Sequence, residues 1–146
     1  MTNSELASLF DELADIMEIA GENHFKIRAY RNASEVISAT KENIATLPPE
    51  KLQQIPGIGK AIAGKISETG EKGTFNTSEK WRQTGFASLR PLLGIPGVNI
   101  KIIRAMIKDL GISSIDDLKK IIADETFLLY DKLSEKTRNS IIKMAK

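Results

Sequence analysis

A proline-glycine turn set between two apolar helical patterns, and written twice, constrains this chain more than any other feature. The first copy is Ile55-Pro56-Gly57-Ile58-Gly59-Lys60. Before it, Pro49 to Gln54 reads as a short helix. After it, Ala61, Ile62, Ala63 and Ile66 form one apolar side of a helix running on through Lys65. Pro56 fixes φ at the turn, and Gly57 and Gly59 are expected to supply positive φ and bare backbone. Forty residues later Leu93-Gly94-Ile95-Pro96-Gly97-Val98-Asn99-Ile100-Lys101 repeats the pattern and feeds an apolar helix, Ile102 to Leu110. There Asn99 stands in place of the second glycine. Asn tolerates the left-handed region better than most residues, so the turn survives with a weaker or altered contact.

Helix, glycine hairpin, helix is the helix-hairpin-helix arrangement. The helix after each hairpin opens with free N–H groups and the positive end of its dipole, where a phosphate can sit. Backbone contact of that kind binds nucleic acid without reading sequence. The residues read as contacts in the first hairpin are Gly57, Ile58, Gly59 and Lys60, and in the second Gly97, Asn99 and Lys101. Two phosphate-loop readings fail on the same stretch. A dinucleotide fingerprint needs a glycine where Ile62 stands, and a strand before it. Gly59-x4-Gly64-Lys65 approaches a P-loop, but Ile66 replaces the Ser or Thr that would hold magnesium. A plain Gly-capped turn between two packed helices remains open for either copy taken alone. A third, degenerate echo at Lys132 to Lys136, followed by Ile141 and Ile142, lacks both glycines and reads as helix packing.

The remaining composition narrows the class. At 146 residues the chain fits one domain or two very small ones. It has no cysteine, which removes disulfides and thiolate metal sites, and no apolar run of membrane-spanning length. A cytoplasmic location is the default expectation. The net charge of +2 argues little by itself, but it is segregated. Met1 to Ala20 holds five acidic residues and no basic one, whereas Lys26, Arg28 and Arg31 follow closely. Strand patterns are almost absent, so the fold is expected to be all-α, with two helical subdomains, 1–83 and 84–146.

In chain order, Ser4 is expected to cap a first helix whose Leu6, Leu9, Phe10, Leu13, Ile16 and Met17 face a core, and Gly21 to end it. Asn23-His24-Phe25 opens a second helix with Tyr30, Ala33, Val36 and Ile37 on its buried side. Cations alternate there with Phe25 and Tyr30, which suits a single-stranded nucleic-acid end and equally suits a solvated basic helix face. The only histidine, His24, reads as a surface residue. A loop is expected at Thr69-Gly70-Glu71-Lys72-Gly73, then a polar helix from Asn76 to Gln83 anchored by Trp81. Gly111 reads as a C-cap and Ser113-Ser114 as the start of another helix. Asp116 and Asp117 in its first turn complement the helix dipole rather than bind metal.

Taken together and in this order, Glu22 to Ala33 (with Arg28-Ala29-Tyr30-Arg31 at its centre), Ile55 to Ile66, Thr69-Gly70 and the second hairpin resemble the N-terminal region of family X DNA polymerases. The bacterial and archaeal members are most similar, the beta-like ones less so. The resemblance implies a lyase-like domain followed by a second DNA-binding subdomain, gripping the 5′-phosphate side of gapped or nicked DNA in repair. It also implies roles for particular positions. Lys65 matches the lysine that, in lyase-active members, forms a Schiff base with 5′-deoxyribose phosphate. Lys26 and Tyr30 match the 5′-phosphate pocket, and Phe25 the ring that stacks on a template base. The chain departs from the pattern at Ala61, Gly64 and Thr77, which bears on lyase chemistry more than on binding.

The expectations are therefore three. The chain is a non-sequence-specific DNA-binding module, or a lyase acting through Lys65, or a helical protein-interaction module whose hairpins only pack helices. No polymerase activity is expected from these residues alone, since they hold no palm domain. The family's hairpins also use Na+ or K+ on backbone carbonyls, which here implies Leu52 and Ile55. No side-chain metal site and no other cofactor is expected.

Overall fold

A computed structural model describes all 146 residues. It contains helices, turns and connectors and no strand. The α-helices are α1 (Asn3–Ala20), α2 (His24–Ala39), α3 (Pro49–Leu52), α4 (Lys60–Lys72), α5 (Asn76–Arg82), α6 (Ile100–Leu110), α7 (Ile115–Ala123) and α8 (Glu135–Ala145). Three 3-10 segments, Ile44–Thr46, Gly85–Gly94 and Thr126–Leu129, complete them. The chain divides into two compact units: Met1–Glu18 with Glu22–Arg82, and Ile19–Gly21 with Gln83–Lys146. No helix is long and apolar enough to cross a membrane.

The first unit forms around the apolar stripe of α1. Leu6, Phe10, Leu13, Ala14 and Met17 are buried with Ile27, Ala33 and Ile37 of α2 and Ile62, Ala63 and Ile66 of α4. Phe10 is the centre, its ring stacked on Phe75 at 5.1 Å and on Tyr30 at 6.0 Å. Trp81 of α5 is half-buried against the same core. The cap of α1 is Thr2 rather than Ser4: the Glu5 amide donates to the Thr2 hydroxyl at 3.1 Å. Ser4 lies inside the helix, its carbonyl accepting the Ser8 hydroxyl. The apolar period starts at Leu6, and either residue stands close enough before it to read as the cap. Gly21 ends α1 at φ +77, as expected.

The second unit closes around Leu89, Leu92, Ile103, Met106, Leu118, Phe127 and Ile141. Ser114 caps α7 by accepting the Asp117 amide, and Asp117 answers by accepting the amide and hydroxyl of Ser113. Those two bonds from Ser113 hold the Asp117 carboxyl below its ordinary range. Asp117 is thus a capping residue, in line with the dipole reading.

The expected loop from Thr69 to Gly73 is instead the last turn of α4, which runs to Lys72 and stops at Gly73, φ +81. Gly70 is a contact, not a break. A Cβ on it would stand within van der Waals overlap of the Ala45 carbonyl in the 3-10 turn that α4 crosses.

Candidate nucleic-acid interface

The two hairpins share one turn. In the first, the Ile58 amide donates to the Ile55 carbonyl at 3.0 Å, with Pro56 and Gly57 at the two central positions. In the second, the Val98 amide donates to the Ile95 carbonyl, also at 3.0 Å, across Pro96 and Gly97. Gly57 has φ +94 and Gly97 φ +90, the conformation that Pro-Gly supplies in a type II turn. Ile58 and Val98 are buried and pin each turn to its own core. Gly57 lies against Val36 of α2, and Gly97 against Thr137 in the first turn of α8.

Only one glycine per hairpin needs its freedom. Gly59 has φ −85 and ψ 179, extended backbone open to any residue, and Asn99 is likewise extended at φ −131. The expected positive φ at Gly59, and left-handed tolerance at Asn99, are therefore not what these positions use. Both are N-caps. Gly59 offers no side chain to α4, so no protein group caps the amides of Lys60, Ala61 and Ile62. Asn99 instead accepts the Ile102 amide on its Oδ1 at 2.9 Å. Gly59 is exposed, and nothing lies within 4 Å of where its Cβ would be.

Val36 of α2 is the residue that meets the first hairpin, at Gly57, and the other expected contacts of α2 lie toward its N-terminus. Asn23 caps that helix through the amides of Phe25 and Lys26. This cap places His24, Phe25 and Lys26 on an exposed first turn, with the Phe25 side chain 79% exposed. Tyr30, one turn on, is buried, and burial raises its phenol pKa. Lys65 of α4 is half-buried and brings Nζ to 5.9 Å from the centre of the Tyr30 ring. The ring face attracts the ammonium and holds it on this side of α4. The carbonyls of Leu52 and Ile55 each accept one turn hydrogen bond, from Ile55 and Ile58, and keep a second lone pair. Neutral carbonyl oxygens of this kind are the donors a monovalent cation would take, and Leu52 and Ile55 would be the residues to hold one. No group of three or more His, Asp or Glu side chains is placed to hold a metal.

Residues 1–75 match the helix-hairpin-helix domain family, and residues 89–146 match the SAM-like helix-hairpin-helix tandem. The chain belongs to the helix-hairpin-helix family. This helix-hairpin-helix chain is also 28% identical, over 120 residues, to the DNA polymerase/3′-5′ exonuclease PolX of Bacillus subtilis (strain 168). The match takes in 82% of the chain and 21% of the Bacillus protein, so the chain spans about a fifth of that relative's length. The expected resemblance to family X polymerases is thereby shown.

Within the helix-hairpin-helix units, the structure brings some expected residues together and separates others. Gly57 and Ile58 lie in the turn, Gly59 caps α4 and Lys60 opens it, and Tyr30 meets Lys65. Phe25 and Lys26 share an exposed helix start. Arg31 leaves the basic group: its guanidinium is 2.8 Å from Asp15, with Asp11 and Glu18 at 3.9 Å, all on α1. The acidic face of α1 is thus partly neutralised by the α2 arginine. Arg28, one helical turn earlier, is exposed and makes no ion pair. The signal for the difference was available only as acidic residues on α1 at helical spacing, which could not say which arginine they face.

Proposed function

We propose that the chain binds DNA by its phosphate backbone, independently of base sequence, at gaps, nicks or 5′-phosphate ends. The α4 N-terminus is the grip, with Lys60 beside it and Lys26 and Tyr30 toward a 5′-phosphate. The observation that carries this reading is Gly59. Its backbone needs no glycine and its surroundings have room for a side chain. What glycine leaves there is an open helix start with positive dipole and three uncapped amides, which a phosphate oxygen can reach directly. Lys60 adds a charge that releases counterions when it meets phosphate. The similarity to the Bacillus polymerase supports DNA as the partner, and the second hairpin, through Gly97, Asn99 and Lys101, adds a weaker contact.

Anisotropy titrations of a gapped, 5′-phosphorylated duplex and an intact duplex, over a salt series, test the reading. The expected result is tighter binding of the gapped DNA and affinity that falls steeply with salt. Gly59→Asn should weaken binding without lowering the melting temperature. Absence of any salt-dependent binding would reject the reading and leave a protein-interaction module.

A second reading, a lyase, has one observation in its favour: Lys65 is half-buried, with its amine set over Tyr30 beside the same hairpin unit. In that chemistry the neutral Nζ attacks the C1′ aldehyde of a 5′-deoxyribose phosphate and water leaves, giving a Schiff base. Loss of the C2′ proton then expels the 3′-phosphate by β-elimination. Borohydride trapping on such DNA decides it. A covalent adduct lost in Lys65→Ala supports the lyase, and no adduct with gap binding intact rejects it.

A further inference from the structure

We infer that Asn99 is a specificity-determining residue, whose side chain occupies the Ile102 amide at the second hairpin and so makes direct phosphate capture there weaker than at the first. The inference rests on the DNA-binding reading above and deepens it. The two hairpins match in turn geometry, in the positive φ of their Pro-Gly glycines and in the extended cap residue that follows. They differ at the cap side chain. At Gly59 there is none, and no side chain caps the first turn of α4. At Asn99 the Oδ1 accepts the Ile102 amide at 2.9 Å, in the position a phosphate oxygen would otherwise take. The carboxamide also adds bulk at the point where a DNA backbone must approach the peptide. A phosphate arriving at α6 must displace an internal hydrogen bond that is already made, whereas one arriving at α4 displaces only water.

Lys101 does not reverse this. It is exposed on the first turn of α6 and adds charge, but a lysine reaches phosphate as a mobile point charge and does not reopen the amide. The second hairpin then serves first as a packing element, its Gly97 turn seated on Thr137 of α8. Its weaker DNA contact then rests mainly on Lys101.

Swapping the cap residues tests the inference. The probe is a fluorescein-labelled, gapped duplex with a 5′-phosphate, titrated with the 146-residue chain at fixed salt. Asn99→Gly should raise affinity roughly two- to fivefold, the gain of one dipole-aligned anion contact. Gly59→Asn should lower it by a similar factor, and the double swap should return it close to wild type. Asn99→Asp, nearly isosteric and still a cap, should give no gain. It also keeps the fold, so the comparison holds even if Asn99→Gly frays α6 in a melt. Equal or lower affinity for a folded Asn99→Gly would overturn the inference, as would a gain for Asn99→Asp. Should Gly59→Asn weaken binding while Asn99→Gly changes nothing, the first hairpin's role stands and the closing role of Asn99 falls. A wild-type chain with no affinity for the probe would overturn both.

Discussion

Gly70 of α4 lies against the Ala45 carbonyl so closely that a Cβ on the glycine would overlap that oxygen. The neighbour is backbone, which cannot swing away as a side chain would. In a helix interior Gly→Ala normally stabilises by up to about 1 kcal/mol. At Gly70 the overlap should win, and Gly70→Ala should destabilise the first unit by about 1–3 kcal/mol. Gly64, on the same helix, is exposed with nothing within 4 Å of its would-be Cβ. Gly64→Ala should therefore stabilise by about 0.5–1 kcal/mol. Thermal melts of the two variants should move in opposite directions from wild type.

The two glycines of the first hairpin should separate stability from binding. Gly57 has φ +94, and its Cβ would meet Val36 Cγ2 at 2.8 Å. Gly57→Val combines backbone strain with that overlap and should destabilise by roughly 1–3 kcal/mol or more. Lost DNA affinity in that variant would report damage to the fold. Gly59→Asn meets neither obstacle, and as a better cap should leave the unit as stable or a few tenths of a kcal/mol more so, by about the Asn-over-Gly preference. A denaturation midpoint unchanged or raised, with weaker DNA binding, is the pattern expected of a phosphate contact made by amides.

Glycine shows why some of this was legible in the sequence and some was not. The Pro-Gly pairs, Gly21 and Gly111 act through local backbone geometry, and local geometry is written in neighbouring residues. The all-α fold and the core stripe of α1 were legible for the same reason, since a helical period needs no tertiary partner to be seen. Gly70 acts through a carbonyl twenty-five residues away, so in sequence it looked like a helix breaker next to Gly73, which is one. Arg31 presents the same difficulty in charge: its placement among Lys26 and Arg28 is local, but its Asp15 partner is on another helix. At position 99 the residue type is plain in the sequence and its use is not, because Asn serves left-handed turns and N-caps alike and only the dihedral angles separate them.

Tyr130 gives the second unit an alkaline limit. Burial first, then the hydrogen bond its hydroxyl donates to Asp109 at 2.9 Å, push the phenol up to about 12. An unfolded tyrosine titrates near about 10. The neutral phenol is thus favoured in the fold. The stability it brings is complete below about pH 10 and is lost as pH rises through about 12. Tyr130→Phe should flatten the fall of stability across that window relative to wild type. Phenolate absorbance should show the missing late titration, and an unchanged pH profile in the variant would refute the assignment.

Phe25 offers the sharpest separation of the binding readings. A phenylalanine 79% exposed at the start of α2 contributes little to its own core, its ring meeting only the edge of His24 at 6.4 Å. Phe25→Ala should therefore leave the melting temperature close to wild type, since surface substitutions rarely exceed about 0.5 kcal/mol. An exposed ring next to Lys26 is the arrangement in which an unpaired base stacks while its phosphate meets a cation, and such stacking is worth about 1–3 kcal/mol per base. The loss should appear with gapped DNA, which offers unstacked template bases, and be small with intact duplex, whose bases are already stacked. Equal losses on both would assign Phe25 to general surface contact. No loss on either would remove the stacking role and leave the amides of α4 and the lysines as the grip.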